Sequence, residues 1–101
     1  MTTVSLSKPI KAHGDDVSEI TLREPTTKDV IEIGLPTLII PGDDGQSTGV
    51  EIRQKVVARY ISRLAAIPMG SVEALSLSDF SLCTAAVMGF FGQGGGETSA
   101  S

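Results

Sequence analysis

The segment Ile20-Thr21-Leu22-Arg23-Glu24-Pro25-Thr26 decides how this chain begins to fold. Its first half continues the alternating pattern of Val17 to Leu22, which suits a strand with one apolar face. An earlier alternating stretch, Val4-Ser5-Leu6, is separated from it by the turn residues His13-Gly14-Asp15-Asp16. Pro25 lacks a backbone N–H and holds the preceding residue extended, so the second strand ends there. The sequence therefore predicts an N-terminal β-hairpin that leads into a helix.

A short helix is predicted near residues 27 to 33. Thr26 or Thr27 can cap its first turn, and Asp29 places negative charge where the helix dipole favours it. Gly34 offers a C-terminal stop. Beyond it, Leu38-Ile39-Ile40 is interpreted as an apolar patch, and residues 42–49 as a solvated loop.

A second helix is predicted near residues 50 to 66, with apolar side chains over about half of its circumference at ~100° per residue. The apolar set is Val50, Ile52, Val56, Val57, Tyr60, Ile61, Leu64 and Ile67. On its other side, Ala58, Ser62 and Ala65 form a strip of small residues that allows another helix to approach closely.

A row of basic residues follows the edge of this second helix. Lys55, Arg59 and Arg63 stand four residues apart, and no acidic residue lies between Glu51 and Glu73 to balance them. One interpretation is a solvated edge whose long stems cover apolar neighbours. The other is a docking site for an acidic segment of a partner.

The last helix is predicted near residues 77 to 91, with Ser76 or Ser78 as its N-cap. Apolar side chains point to nearly every side of it, so we expect it to be buried all round. The composition of residues 93–101 predicts a flexible tail. The predicted fold class is α+β and mostly helical, with the N-terminal hairpin packed on about three helices in one domain over residues 1–92.

Composition limits the functions that this chain can have. Its 101 residues suit one domain, and only 4% are aromatic, so the core should be aliphatic. The net charge of -4 opposes contact with phosphate backbones and predicts no nucleic-acid partner. No apolar run reaches the ~20 residues of a membrane span, and the N-terminus lacks the pattern of a secretory signal. Cys83 reads as a small buried hydrophobe.

No set of residues suggests catalysis or a bound cofactor. An enzyme of this size needs a clustered acid, base, nucleophile or metal set, and the sequence contains no such cluster and no phosphate-binding motif. His13 is the single histidine, in the predicted hairpin turn, and reads as an exposed turn residue. The sequence therefore predicts no enzyme activity, no cofactor and no metal site.

A hairpin that ends in Leu22-Arg23-Glu24-Pro25-Thr26 before a helix with Asp29 resembles the small tail assembly chaperones of Mu-like and related contractile-tailed bacteriophages. The resemblance covers residues 4 to 32 and, beyond them, the order of elements. It implies a chaperone of the host bacterial cytoplasm, absent from the mature virion. Such a chaperone coats the apolar helices of the tape measure protein until tail tube protein subunits replace it, and the family has no catalytic residues to transfer.

The same resemblance implies that some ribosomes change frame near the end of the gene and make a longer minor product. The codons of Gly94-Gly95-Gly96 all begin with two guanines, which is a compatible place for slippage.

More apolar helix surface is predicted than a lone domain of this size should hide. This surplus predicts a homo-oligomer and a partner-binding surface. We expect the partner contacts to come from the large apolar side chains of the two long helices and from the basic row. They are Tyr60, Leu64, Phe80, Val87, Phe90, Phe91, Lys55, Arg59 and Arg63, with Met69 and Met88 as adaptable contacts.

Two other functions remain open at this point. One is a structural tail completion or head-tail connector subunit that stays in the virion, and the other is a small regulatory adapter that binds a host protein.

Overall fold

Two antiparallel hairpins alternate with helices in the computed structural model, which describes residues 1–41 and 48–92. This arrangement confirms the predicted α+β class with an N-terminal β-hairpin. In chain order the elements are β1 (Thr2–Ala12), β2 (Asp15–Leu22), α1 (Thr27–Ile33), β3 (Thr37–Pro41), β4 (Thr48–Ile52), α2 (Gln54–Ala65), α3 (Met69–Glu73) and α4 (Leu77–Phe90).

The first hairpin pairs β1 with β2 around a two-residue turn. His13 and Gly14 both have positive φ, at 55° and 85°, as in the type I′ turns that match the twist of a hairpin. Val4 lies opposite Ile20, and both are buried. Between Ser5 and Ile10 the register shifts, so β2 does not pair regularly with this part of β1.

The turn from β2 into α1 has the predicted capping. Thr26 is the N-cap of α1 and accepts a hydrogen bond from the backbone nitrogen of Asp29, whose carboxylate accepts one from the Thr26 nitrogen. This reciprocal pair satisfies two of the free donors at the start of the helix. Gly34 follows α1 with φ of 96°, a conformation that side chains with a Cβ seldom adopt.

The second hairpin corrects two predictions. Residues 50 to 52 belong to β4 and not to a helix, and residues 48 and 49 also belong to β4 and not to the predicted loop. The apolar patch at residues 38–40 lies in β3. Ile39 is opposite Val50 and Thr37 is opposite Ile52, which gives cross-strand pairs of β-branched residues that suit a pleated ribbon. Val50 and Ile52 are 57% and 42% exposed, so they are not part of the buried face of α2. Of the predicted loop, residues 42–47 lie outside the described residues.

The core forms where α2 packs on β2, α3 and α4, and where α4 packs on β1. Its centre is aliphatic, as predicted, around one buried tyrosine. Cys83 has no exposed surface, and burial raises the pKa of its thiol to about 11, consistent with a small buried hydrophobe. The buried members are Val4, Ile10, Ala12, Ile20, Leu22, Val56, Val57, Tyr60, Ile61, Leu64, Ile67, Val72, Leu75, Cys83, Val87 and Met88.

The last helix is not buried all round, which corrects the prediction from its composition. Leu77 and Leu82 are 81% and 53% exposed, because α4 covers β1 and α2 with one side only. Ser76 is its N-cap, as one of the two candidates predicted. The predicted tail at residues 93–101 lies outside the described residues, and the assignment of residues 1–92 to one domain stays a prediction.

Candidate partner-binding groove

A groove lies between α2 and the segment that carries the chain from α3 into α4. Ala66 ends α2 in a left-handed conformation with φ of 57°, and Pro68 then precedes α3. These residues turn the chain back, so that α3 packs against α2. We call this depression the α2 groove. It is an open depression of about 370 Å³, lined by Gln54, Lys55, Ala58, Val72, Glu73, Leu75, Leu77 and Phe80.

The α2 groove has an apolar base and an apolar end. Val72 and Leu75 form buried parts of its lining, while Phe80 is half-buried and Leu77 stands largely in solvent at the entrance to α4. Ala58, from the predicted strip of small residues, lies on the α2 side. A largely apolar surface of this shape suits the apolar side chains of a partner segment.

Neighbouring depressions extend the groove in both directions. One shares Lys55, Ala58 and Glu73 with it and adds Arg59 and Met69. On the α4 side, another adds Ser81 and Thr84. A further depression has Arg59 and Met69 in common with the first of these two and extends to Arg63. The stretch of α2 from Gln54 to Arg63 is about 14 Å long at 1.5 Å per residue, which is enough to contact two to three turns of a partner helix.

Charge is distributed unevenly along the α2 groove. Lys55 and Arg59 are exposed on the α2 side, and neither makes an ion pair with any residue in the ranges 1–41 and 48–92. Glu73 lies on the α3 side. One wall is therefore basic and the other carries a single carboxylate.

Arg63 differs from the other two members of the basic row. Its guanidinium contacts Glu32 and lies 3.3 Å from Oδ1 of Asp29, both on α1. Hydrogen bonds to Glu32 and then to Asp29 raise the pKa of Arg63 above its ordinary value. The expectation of an unbalanced row was wrong at this position, because the balancing acids come from another helix and not from the neighbouring sequence.

Asp29 also explains why Arg23 and Thr26 stand in the segment that links β2 to α1, because both bind its carboxylate. Nη1 of Arg23 lies 2.8 Å from its carboxylate, which is buried at 2% exposure. The hydrogen bond from Arg23 and then the one from the Thr26 nitrogen lower the pKa of Asp29 well below its usual range. Arg23, Thr26 and Asp29 thus hold the end of the hairpin, the start of α1 and, through Arg63, the helix α2 together.

Apart from Arg63, which pairs with α1, the structure separates the sequence-predicted contact residues into three groups. Lys55, Arg59 and Phe80 come together along the α2 groove and its extension. In contrast, Tyr60, Leu64 and Val87 are buried in the core.

Phe90 and Phe91 form the third group and are half-buried outside the groove. The ring of Phe91 meets Tyr60 edge-on, with centroids 5.2 Å apart. The hydroxyl of Tyr60 donates to the carbonyl oxygen of Gly34.

Several groove residues were not among the predicted contacts, chiefly Leu77, Val72 and Glu73. The break at Pro68-Met69-Gly70 indicates that the chain turns after α2, but not which face of α2 the next segment covers. Leu77 could have been found from its position directly after the N-cap Ser76, which places it in the first turn of α4.

The fold and the groove define a small α+β protein with a largely apolar groove on its surface. Within residues 1–41 and 48–92, no group of three His, Cys, Asp or Glu side chains is placed to hold a metal ion. None of the described helices has the length and apolar character needed to span a bilayer.

The family model described as phage tail assembly chaperone proteins, E, or 41 or 14, matches residues 3–92. The chain belongs to this family of phage tail assembly chaperones. The match confirms the resemblance seen in the hairpin and extends it over nearly the whole length. No curated protein and no solved structure matches the chain.

Proposed function

We propose that this chain binds the tape measure protein during tail assembly and holds its apolar helices in the α2 groove until tail tube protein subunits replace it. Membership of the tail assembly chaperone family supports the setting. The observation that carries the proposal is the juxtaposition of Leu77 and Phe80 with a basic helix edge along one groove. It supplies an apolar docking surface together with a means of orienting the bound segment.

An α-helix with one apolar stripe is the form of partner that this groove accommodates. Helix-in-groove recognition places side chains at i, i+3, i+4 and i+7 into an apolar depression, and the α2 groove offers Phe80 and Leu77 at one end and Met69 at the other. Large, partly exposed apolar side chains dominate such interfaces. Met69 is unbranched and can adapt to different partner side chains.

Electrostatics favours a partner helix with an acidic edge. Lys55 and Arg59 are one helical turn apart on the same wall, so two carboxylates spaced by four residues on the partner would meet both. Glu73 on the other wall favours a basic or neutral residue there and disfavours the reversed orientation. Because the whole chain carries a net charge of -4, this local basic edge also restricts where an acidic segment can dock.

The proposal includes the setting of the activity. The chaperone acts in the cytoplasm of the bacterial host and is absent from the mature virion, without enzyme activity, cofactor or nucleic-acid partner. A longer minor product, made by a frameshift near the end of the gene, would carry an added C-terminal part that helps to recruit the tape measure protein or the tube.

Two readouts test this function. Co-expression with the tape measure protein should keep that protein soluble and give a complex that co-purifies, whereas virions purified from the same phage should lack this chain in their mass spectra. A fixed number of copies in every virion would overturn the chaperone and support a structural tail completion or head-tail connector subunit. A tape measure protein that stays equally soluble without this chain would also contradict the proposal.

A further inference from the structure

The outward face of α4 carries no charge. Its exposed residues are Leu77, Ser78, Ser81, Leu82, Ala85 and Gly89. The single charged residue of the helix, Asp79, is 1% exposed and turned toward β1, where it accepts hydrogen bonds from Ser7 and Lys8. In a chain with 20% charged residues, a 14-residue helix with an uncharged solvent face and two exposed leucines is a candidate contact surface.

From this face we infer that two copies of the chain pair through α4, antiparallel, about a two-fold axis. A two-fold contact brings the same surface patch of both copies together. A charged residue near the axis would therefore lie close to the same charge on the other copy and be repelled by it. The uncharged face of α4 avoids this repulsion, and the basic wall of the α2 groove, with Lys55 and Arg59, does not. Leu77 and Ser81 belong both to this face and to the α4 end of the groove and its extension, so pairing of two copies would compete with a bound partner helix at that end. The remaining parts of the chain, residues 42–47 and 93–101, contain no large apolar side chain that would cover the leucines instead.

The spacing of side chains along α4 defines the register of the pair. Leu77, Ser81, Ala85 and Gly89 recur every four residues and form one row on the exposed side. In an antiparallel pair centred on position 83, Ser81 of one copy lies against Ala85 of the other. Leu77 then lies over Gly89, so the one bulky member of the row meets the residue without a side chain.

Gly89 supports this register independently. Glycine within a helix costs about 0.5–1 kcal/mol relative to alanine. The fold of one copy offers no reason for it, because Gly89 does not have a positive φ and a Cβ added there would meet no atom within 4 Å. A close approach of Leu77 from a second copy supplies a reason.

The pair should be weak and reversible. A helix of 14 residues is about 21 Å long, and one such contact buries less than the roughly 1,200 Å² typical of stable complexes. Sedimentation equilibrium at protein concentrations up to about 1 mM should therefore show a monomer–dimer equilibrium, since a millimolar dissociation constant is detectable there.

Two substitutions on the exposed face test the contact without disturbing the core. Ala85→Glu should raise the dimer dissociation constant by about tenfold or more, because each new carboxylate would be desolvated against Ser81 of the other copy and the two like charges would lie only about one helical turn apart across the axis. Gly89→Leu should have a similar effect by blocking Leu77, although the monomer has open space at this position. Ala74→Glu makes the same chemical change at an exposed residue outside α4 and should leave the equilibrium unchanged.

Disulfide trapping tests the orientation. When Ser81→Cys and Ala85→Cys variants are mixed under oxidising conditions, the mixed disulfide should form faster than either symmetric one. The native Cys83 should not interfere, because it is fully buried. A chain that stays monomeric at about 1 mM, a dimer that tolerates both Ala85→Glu and Gly89→Leu, or a preference for the two symmetric disulfides would overturn the inference.

Discussion

The carboxylate of Asp79 lies 2.9 Å from the backbone nitrogen of Ser7, a residue 72 positions away in the sequence. It also accepts hydrogen bonds from the Ser7 hydroxyl and from the backbone nitrogen of Lys8. Both donors lie in the part of β1 where the register with β2 shifts. One buried side chain thus joins the N-terminal hairpin to α4 and satisfies backbone groups at this irregularity.

Removal of this acceptor should destabilise the fold strongly. We expect Asp79→Ala to lower the free energy of unfolding by about 2–4 kcal/mol, since each part-buried N–H left without an acceptor costs about 1–3 kcal/mol. Asp79→Asn retains one oxygen acceptor and should cost less. Urea denaturation measures the difference. Asp15→Ala, at an exposed position, is the control, and an Asp79→Ala midpoint equal to that of the control would contradict the role of this contact.

Local features of the fold could be predicted from sequence because their determinants are neighbours in the chain. Pro25 and the Thr26 cap mark the end of β2 and the start of α1, and both are found there. The hydrogen bond between Asp79 and Ser7 could not be predicted, because helix-capping rules assign Asp79 only the role of a carboxylate in the first turn of α4. Its partners depend on how α4 packs on β1.

The second hairpin was missed because the apolar pattern was assigned to the wrong period. Val50 and Ile52 flank Glu51, an alternation that fits a strand, but they also extend the helical pattern of α2. In the candidate site, the spacing of Lys55 and Arg59 correctly placed them on one edge of α2. The pairing of Arg63 with α1 depends on tertiary packing, which spacing along one helix does not contain.

Acid should destabilise the protein partly through Asp29. Arg23 holds the pKa of this carboxyl well below its usual range in the folded chain. The folded state therefore binds fewer protons than the unfolded state near pH 4. The stability that Asp29 contributes is present above the unfolded pKa of about 3.9 and is lost as pH falls through the folded pKa.

Urea unfolding between about pH 5 and pH 2 measures this contribution. The Asp29→Asn variant should be less stable than the wild type at neutral pH, because Arg23 loses its charged partner, and should lose less further stability on acidification. The stability of both proteins should still depend on pH through Asp79, because hydrogen bonds from Ser7 lower the pKa of that carboxyl as well. Parallel pH profiles of wild type and Asp29→Asn would show that Asp29 does not carry this effect.

Phe90 and Phe91, near the end of the described residues, should contribute differently to stability. Phe91→Ser should reduce stability by about 1–3 kcal/mol, because its ring packs against the buried Tyr60 and only part of it is exposed. Phe90→Ser should cost less stability, because its half-buried ring packs at the edge of the core, and it should leave co-purification with the tape measure protein unchanged, because Phe90 lies outside the α2 groove. Unfolding of Phe90→Ser would place this ring deeper in the core, and a folded variant that no longer co-purifies would extend the interface beyond the α2 groove.

An unaltered gene expressed with its downstream sequence should give two products that share residues 1 to about 93, with the longer one in the minority. Gly94-Gly95-Gly96 would then lie where the added part is joined, and a glycine-rich join would leave the preceding fold intact. Intact mass spectrometry distinguishes the products. A single 101-residue product, from a gene without a slippery run or an overlapping frame, would rule out the longer form.

In the proposed function, the α2 groove binds an apolar helix of the tape measure protein, and the acidic edge of that helix lies against Lys55 and Arg59. Titration calorimetry with the tape measure protein or its apolar segments should show binding by the wild type. The double variant Lys55→Glu with Arg59→Glu should weaken it at least about tenfold, because both exposed contacts become repulsive. Lys8→Glu with Lys11→Glu makes the same change of charge at exposed residues outside the groove and should bind like the wild type. Equal affinity of the two double variants would contradict the groove as the binding site.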